Sequence, residues 1–345
     1  MQQRDNTEMK LNMDKYSSFI PLIGLFAVIA VIAVLAWRAP SLDSVRETKC
    51  ISSCSTITTA VSMYAPGRKE FYPGEKVKRP MKIHIFGCLS GTEPMPGKHH
   101  TALALEKDGV LYWFDAGSGC GDTAHQMGLD VRKIRCIFIS HPHFDHTGGL
   151  PHLFFVIFKR IGRDPESPEV ALKIFTPEPR IVDAAIFGLS TRKRLPQKMK
   201  LENVRIEHDG VLFDAGGVRV ECVANRHLRQ EPGEPPASFS FRITAEGKRI
   251  IFSGDVKSWH DYEVFLKDGC DLLMMESGHH SPPKVTAELK EDGYRIGQLL
   301  FLHHGREYLA DEAGTQAKCS EVWGAPVLFA HDAMTLDLNS TTSTK

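Results

Sequence analysis

An α/β body of two sheets covered by helices is the fold class this sequence predicts, and three observations predict it. From Met81 onward, short apolar runs recur between Gly, Asp and Pro at the lengths of strands. Helical candidates lie between those runs instead of gathering at one end, which favours mixed layers. No unit repeats at solenoid or propeller spacing.

Residues 1–18 form a polar tail, followed by Phe19 to Trp37, nineteen residues without a charge. At about 1.5 Å per residue, a helix of that length crosses the hydrocarbon core, so the segment is expected to be a transmembrane anchor. A cleaved signal usually has a shorter apolar core, and Pro40 directly follows Ala39 where a cleavage site would fall. Arg4, Lys10 and Lys15 before the span are matched by Arg38, Arg46 and Lys49 after it, so flanking charge does not orient it. The short polar leader favours a cytoplasmic N-terminus and an extracytoplasmic body. Residues 38–80, rich in Ser and Thr with four prolines, read as a linker.

The body is expected over 81–338, with a polar tail at 339–345. Its strands are predicted at Ile83–Phe86, Ala102–Leu105, Val110–Phe114, Ile134–Ile139, Leu172–Phe175 and Val204–Ile206. A second set is predicted at Val218–Ala224, Ser238–Ile243, Arg249–Phe252, Leu272–Met275, Gln298–Leu302 and Pro326–Phe329. Helices are predicted at Pro151–Arg160, Arg180–Leu189, Trp259–Lys267 and Asp311–Trp323. Eight cysteines are scattered through apolar stretches, as small core residues are; Cys50 and Cys54, together in the linker, are either a disulfide or two free thiols. Lys plus Arg and Asp plus Glu balance at 42 each, so no overall positive field draws the chain onto nucleic acid. The basic run Thr191–Arg194, with Lys198 and Lys200 beyond it, could touch phosphates, but without interleaved aromatics it reads first as a solvated face.

Chemistry concentrates at Ser140-His141-Pro142-His143-Phe144-Asp145-His146-Thr147-Gly148-Gly149, directly after a predicted strand. Three imidazoles and a carboxylate within six positions exceed what packing explains. A strand ending in a tight loop turns His141 and His143 to one point and Asp145 and His146 to its neighbour, and these are ligands that zinc accepts.

This motif resembles the His-x-His-x-Asp-His signature of the metallo-β-lactamase superfamily, and further segments extend the resemblance over about Met81 to Leu338. Tyr112-Trp113-Phe114-Asp115-Ala116-Gly117 resembles the family's upstream aspartate motif, whose carboxylate buttresses the metal loop. Ser253-Gly254-Asp255 is similar to the motif supplying a bridging carboxylate. His227 resembles the family's third histidine, and Leu300-Phe301-Leu302-His303 its last. The resemblance implies an αββα sandwich with two divalent metal ions, zinc first and manganese or iron as alternatives. His141, His143 and His227 would hold the first ion, Asp145, His146 and His303 the second, with Asp255 shared. Read alone, His227 is more often a structural histidine, Asp255 has the alternative of capping a helix at Trp259 although its place after a strand in Ser-Gly-Asp favours the ligand, and His304 competes with His303, which the family spacing favours.

The resemblance further implies hydrolysis, with phosphodiester cleavage by a metal-bound hydroxide first among the reactions. Gly87-Cys88-Leu89-Ser90-Gly91-Thr92-Glu93-Pro94, with His99-His100-Thr101, resembles the entry loop of the ribonuclease Z and phosphodiesterase branch. His303-His304-Gly305-Arg306-Glu307-Tyr308 resembles that branch's His-x-x-x-Arg-Tyr region, with Glu307 interposed. Where that branch has His-Glu-Ala-Thr, this chain has Met275-Glu276-Ser277-Gly278-His279-His280, so His279 or His280, oriented by Glu276, becomes the candidate proton donor. The bland alternative is that the pair belongs to a polar loop. Only 27 residues, positions 228–254, separate His227 from Asp255, which leaves no room for the tRNA-binding arm common in ribonuclease Z. A small or nucleotide-like substrate is therefore expected, with nucleic acid less favoured. The alternatives are hydrolysis of a carboxylic ester, lactone, thioester or β-lactam at the same centre, tRNA 3′-end processing, or a non-catalytic, metal-stabilised binding module.

Overall fold

A computed structural model describes residues 80–91, 95–190 and 197–339. The predicted anchor Phe19–Trp37, the linker with Cys50 and Cys54, and the basic run Thr191–Arg194 lie outside the described residues. Among the described residues no helix is long and apolar enough to cross a membrane.

Strict alternation of side chains along the strands decides the architecture. In β3 (Val110–Phe114), Tyr112 and Phe114 face one core while Leu111 and Trp113 face another. In β11 (Cys270–Ser277), Leu272 and Met274 face the same first core while Leu273 and Met275 face a third. Strands buried on both faces read as continuous apolar runs, which is how these appear in the sequence.

The first sheet pairs β14 (Met334–Asp337), β1 (Lys82–Gly87), β2 (Ala102–Lys107), β3, β4 (Ile134–Phe138), β5 (Val170–Thr176) and β6 (Met199–Arg205) in that spatial order. The second pairs β7 (Gly210–Ala215), β8 (Val218–Ala224), β9 (Phe239–Ala245), β10 (Lys248–Phe252), β11, β12 (Ile296–His304) and β13 (Leu328–Phe329). Read in these orders, each sheet has three antiparallel pairings followed by three parallel ones. Inner faces of both sheets share a core in which Phe114, Phe138, Phe241 and Phe252 make edge and stacked contacts.

Helices close the two outer faces. Leu150–Arg163 buries Leu153, Phe154 and Ile157 against the first sheet, and Pro179–Ser190 adds Val182 and Ala185. On the second sheet, the 3-10 turn Trp259–Tyr262, Glu263–Leu266, Pro282–Glu291 and Glu312–Trp323 contribute Tyr262, Leu266, Leu289 and Cys319. Helix, sheet, sheet, helix is the αββα sandwich expected.

Several elements depart from the sequence reading. β7 and β14 were not predicted, nor were helices Cys120–Gln126, Phe144–Thr147 and Pro282–Glu291. The strand expected at Val204–Ile206 begins earlier, at Met199, and the helix expected at Trp259–Lys267 splits into a 3-10 turn and one α-turn. Cys88, Cys120, Cys136, Cys222, Cys270 and Cys319 are buried free thiols, as anticipated.

Candidate metal centre

The site lies at the ends of the parallel strands, where loops from both sheets converge. Asp115 follows β3 with φ 53°, a left-handed conformation that Asp tolerates better than most residues. Fully buried, its carboxylate accepts hydrogen bonds from the Ser140 amide (2.7 Å), the Ser140 hydroxyl (2.8 Å) and His146 Nδ1 (2.7 Å). A carboxylate can only accept, so Nδ1 of His146 carries the proton of that bond and Nε2 faces inward. Glycines let the loop seat tightly: a Cβ on Gly117 would stand 2.4 Å from the Asp145 carbonyl oxygen, and one on Gly149 2.2 Å from that of Gly117.

The second sheet supplies the facing groups. Gly254 (φ 57°) turns the chain after β10 so that Asp255 is buried in the site and caps no helix; Ser258 and Asp261 form the capping box of the 3-10 turn instead. His303, near the end of β12, has φ 54°, the second left-handed non-glycine residue here. His227 lies beyond β8, with its amide bonded to Asn225 Oδ1 (3.1 Å).

Seven side chains fall into two sets that share Asp255. In the first, His143 Nδ1 lies 3.0 Å from His141 Nε2 and 3.3 Å from His227 Nε2, and Asp255 Oδ2 lies 3.7 Å from both His141 and His227. In the second, His303 Nε2 lies 3.2 Å from Asp145 Oδ2 and 3.3 Å from Asp255 Oδ1, while His146 Nε2 lies 3.5 Å and 3.3 Å from those same oxygens. Tetrahedral zinc with bonds of about 2.0 to 2.1 Å has ligand–ligand edges of about 3.3 to 3.4 Å. Both sets bracket that spacing. His146 Nε2 and Asp255 Oδ1 are buried without a hydrogen-bond partner, an arrangement that proteins avoid unless something else satisfies the atoms. The donor set and its orphaned atoms therefore fit divalent ions.

Electrostatics differ between the sets. Burial, then the neighbouring imidazoles, pushes His141 well below the ordinary histidine range, and burial lowers His227 to about 4. Burial also opposes charge on His303, yet the Asp255 carboxylate, the bond to Asp145 and the Glu276 carboxylate 3.8 Å away outweigh it and raise its pKa to about 9. Positive charge is thus favoured within the second set.

The structure separates two adjacent pairs that sequence left open. His303 points into the site; His304 shares a hydrogen bond with the Ser277 hydroxyl (2.9 Å), lies 2.8 Å from the Ala330 carbonyl and packs its ring against Tyr308 at 4.1 Å between centroids. His279 reaches the cavity, with Nδ1 3.1 Å from Glu276 Oε1 and 3.8 Å from Asp255 Oδ2, whereas His280 Nε2 donates to the Val256 carbonyl (3.0 Å). Glu276 is fully buried and also accepts the amides of Gly278 and His279. From the entry loop, Ser90 and Gly91 line the cleft, held by the Ser90 amide on the His304 carbonyl (3.1 Å). Arg306, from the stretch that resembles the His-x-x-x-Arg-Tyr region, lines it too, as does Phe144, which the sequence alone did not single out. Lys198 and Lys200 are not gathered there: Lys198 binds the Pro165 and Ser167 carbonyls, and Lys200 pairs with Glu169.

Comparison with known proteins agrees with this geometry. The model of the beta-lactamase superfamily domain matches residues 113–304, more than half of the chain. The chain belongs to the beta-lactamase superfamily. Within the superfamily it is similar to ribonuclease Z of Treponema denticola, 38% identical over 244 residues that cover 64% of this chain and 75% of that protein. A match to ribonuclease Z of Treponema pallidum is 41% identical over 76 residues, 22% of this chain and only 24% of that protein's length. These relatives place it in the ribonuclease Z-like branch. Among solved structures, the metallo-beta-lactamase fold protein YhfI of Bacillus subtilis superposes with TM-score 0.58 at 19% identity, covering 75% of this chain and 99% of that one, a likeness of fold. In this superfamily member the stretch between His227 and Asp255 is consumed by one loop, β9 and β10.

Proposed function

We propose that the protein is a metal-dependent phosphodiesterase with two divalent ions, zinc first, held by His141, His143 and His227 and by Asp145, His146 and His303, with Asp255 between them. The observation that carries this reading is the division of Asp255: Oδ2 faces the first set and Oδ1 the second. Two such ions would supply Lewis-acid activation of water and neutralisation of phosphoryl charge. Relatives named ribonuclease Z support a phosphodiester over a carbonyl substrate.

Around that chemistry the chain's own groups orient and protonate. Asp115 fixes the tautomer of His146. Glu276 holds His279 through Nδ1, leaving Nε2, on the other edge of the ring, to deliver a proton to the departing alkoxide. His280, with Nε2 on the Val256 carbonyl and 3.4 Å from Glu276 Oε1, is assigned the part of positioning this turn. The short link between His227 and Asp255 supports a small or nucleotide-like substrate over tRNA. The uncharged stretch Phe19–Trp37 supports a membrane tether, and the short polar leader before it supports an extracytoplasmic side for the 81–338 body.

The test is hydrolysis by the zinc-reconstituted 81–345 fragment of phosphodiester, thioester, lactone and β-lactam substrates, with elemental analysis alongside. Two ions per chain and selective phosphodiester cleavage are expected. His279→Ala should slow an alkyl leaving group by about 10² or more and a nitrophenolate far less, since an aligned acid is worth about 10² to 10⁴. One ion at most after reconstitution, or turnover confined to carbonyl esters, would overturn the reading.

A further inference from the structure

We propose that Phe144 is a specificity-determining residue, the platform on which an aromatic base carried by one ester of the scissile phosphodiester stacks. The inference rests on the phosphodiesterase reading.

Phe144 stands between His143 and Asp145, whose ligand atoms turn inward to the two sets, while its own ring turns outward and is 85% exposed. A single exposed phenylalanine is ordinary on a protein surface. Phe187, 71% exposed, and Phe155, 42% exposed beneath the Lys159 ammonium, are of that kind and lie on the outer helices. Phe144 differs in its place. It lines a cavity of about 490 Å³ with Ser90, Gly91, Asp145, Asp255, His279 and Arg306, and it is the one apolar side chain among the described residues of that lining. Arg306 is the one guanidinium or ammonium group among them.

The chemistry of a matching substrate follows from that inventory. A cavity whose remaining walls are polar, with ligand atoms at its floor, offers one flat hydrophobic face and one fixed positive charge. A phosphodiester fits the floor and Arg306; an aromatic ring on its ester fits the face. The backbone at the ring is fixed by the Gly148 amide on the Phe144 carbonyl (2.7 Å) and the Thr147 hydroxyl on the His143 carbonyl (2.9 Å), so binding has to order only the side chain's own rotamer. Stacking on a phenylalanine discriminates little among bases, which makes the class an aromatic nucleoside ester and not one particular base.

Two substrates with the same leaving group isolate the effect: thymidine 5′-(p-nitrophenyl phosphate) and ethyl p-nitrophenyl phosphate. The wild-type protein should prefer the nucleoside ester. In Phe144→Ala the ratio of kcat/KM between the two should fall about tenfold, mainly through KM, and Phe144→Tyr should restore it. A ratio unchanged within twofold in Phe144→Ala would overturn the proposal, and so would a wild-type protein without preference. Binding gives a readout independent of turnover. Phe144→Trp should show emission quenched by AMP but not by ribose 5-phosphate; equal response to both would also overturn it. If the wild-type protein cleaves neither ester while the tryptophan variant still responds to AMP alone, the phosphodiesterase reading falls and the stacking platform stands.

Discussion

Replacing Asp115 with Asn should cost a metal site more than it costs the fold. The wild-type carboxylate accepts three hydrogen bonds, from the Ser140 amide, the Ser140 hydroxyl and His146 Nδ1. Asparagine tolerates the left-handed backbone and keeps one acceptor for the Ser140 amide. Its amide nitrogen then takes the place of Oδ2, a donor facing the protonated Nδ1 of His146. The conflict is relieved if the imidazole moves its proton to Nε2, the atom that lies 3.3 Å from Asp255 Oδ1. That proton occupies the lone pair a second ion would use. We therefore expect Asp115→Asn to weaken the second site by about 10- to 100-fold, the range for lost partners of metal-bound histidines. The fold should lose about 1 to 3 kcal/mol, the cost of one poorly satisfied buried donor. Asp115→Ala strands all three donors and strains an alanine at φ 53°, so about 3 to 5 kcal/mol is expected. Zinc competition against a chelating dye reads the first quantity, and urea unfolding in EDTA reads the second. A second ion bound by Asp115→Asn within twofold of the wild-type affinity would refute the tautomer argument.

Two further outcomes are expected. His303→Ala should lower zinc content towards one ion per chain, whereas His304→Ala should keep both ions and lose about 2 to 4 kcal/mol of stability, because the Ser277 hydroxyl and the Tyr308 ring lose their partner; elemental analysis with thermal melting distinguishes them. The hydrogen bond from His84 holds Glu106 below its ordinary value of 4.5. A carboxyl depressed in the folded state stabilises it above the unfolded pKa, and that contribution is lost as pH falls through the folded value. The stability gap between wild type and Glu106→Gln should therefore be full near pH 6 and narrow progressively as pH falls below 4.5, as read from urea midpoints across that range.

How much of this was legible in the sequence follows from where the information lies. His141, His143, Asp145 and His146 are contiguous, so their density alone announced the centre. His227 has no such company, and only the family pattern singled it out. His303 and His304 alternate across a strand, and the choice between them depends on a left-handed φ that no residue type encodes. β7 and β14 went unseen because both are edge strands with exposed or polar positions, where the apolar pattern fades. The helix Pro282–Glu291 was hidden by its two leading prolines, which usually interrupt helices but are tolerated in the first turn. β6 was read short because Lys200 and Glu202 break its apolar run.

The division of the ligands between the sheets has a consequence for the chain as a polymer. His141 to His146 hang from the first sheet and His227, Asp255 and His303 from the second, so each shared ion would rivet two halves whose contacting atoms, as in Asp145 and His303, are 158 residues apart in sequence. Closing so long a loop is entropically demanding in the unfolded chain, and an ion bound only by the docked halves removes that freedom in the manner of a cross-link. If the two sets hold zinc as proposed, free zinc would be a variable of folding as well as of turnover: saturation at a hundredfold excess over the dissociation constant would stabilise the docked pair by about 2.7 kcal/mol per ion. Starving the protein of metal would loosen the seam between the sheets before either sheet came apart.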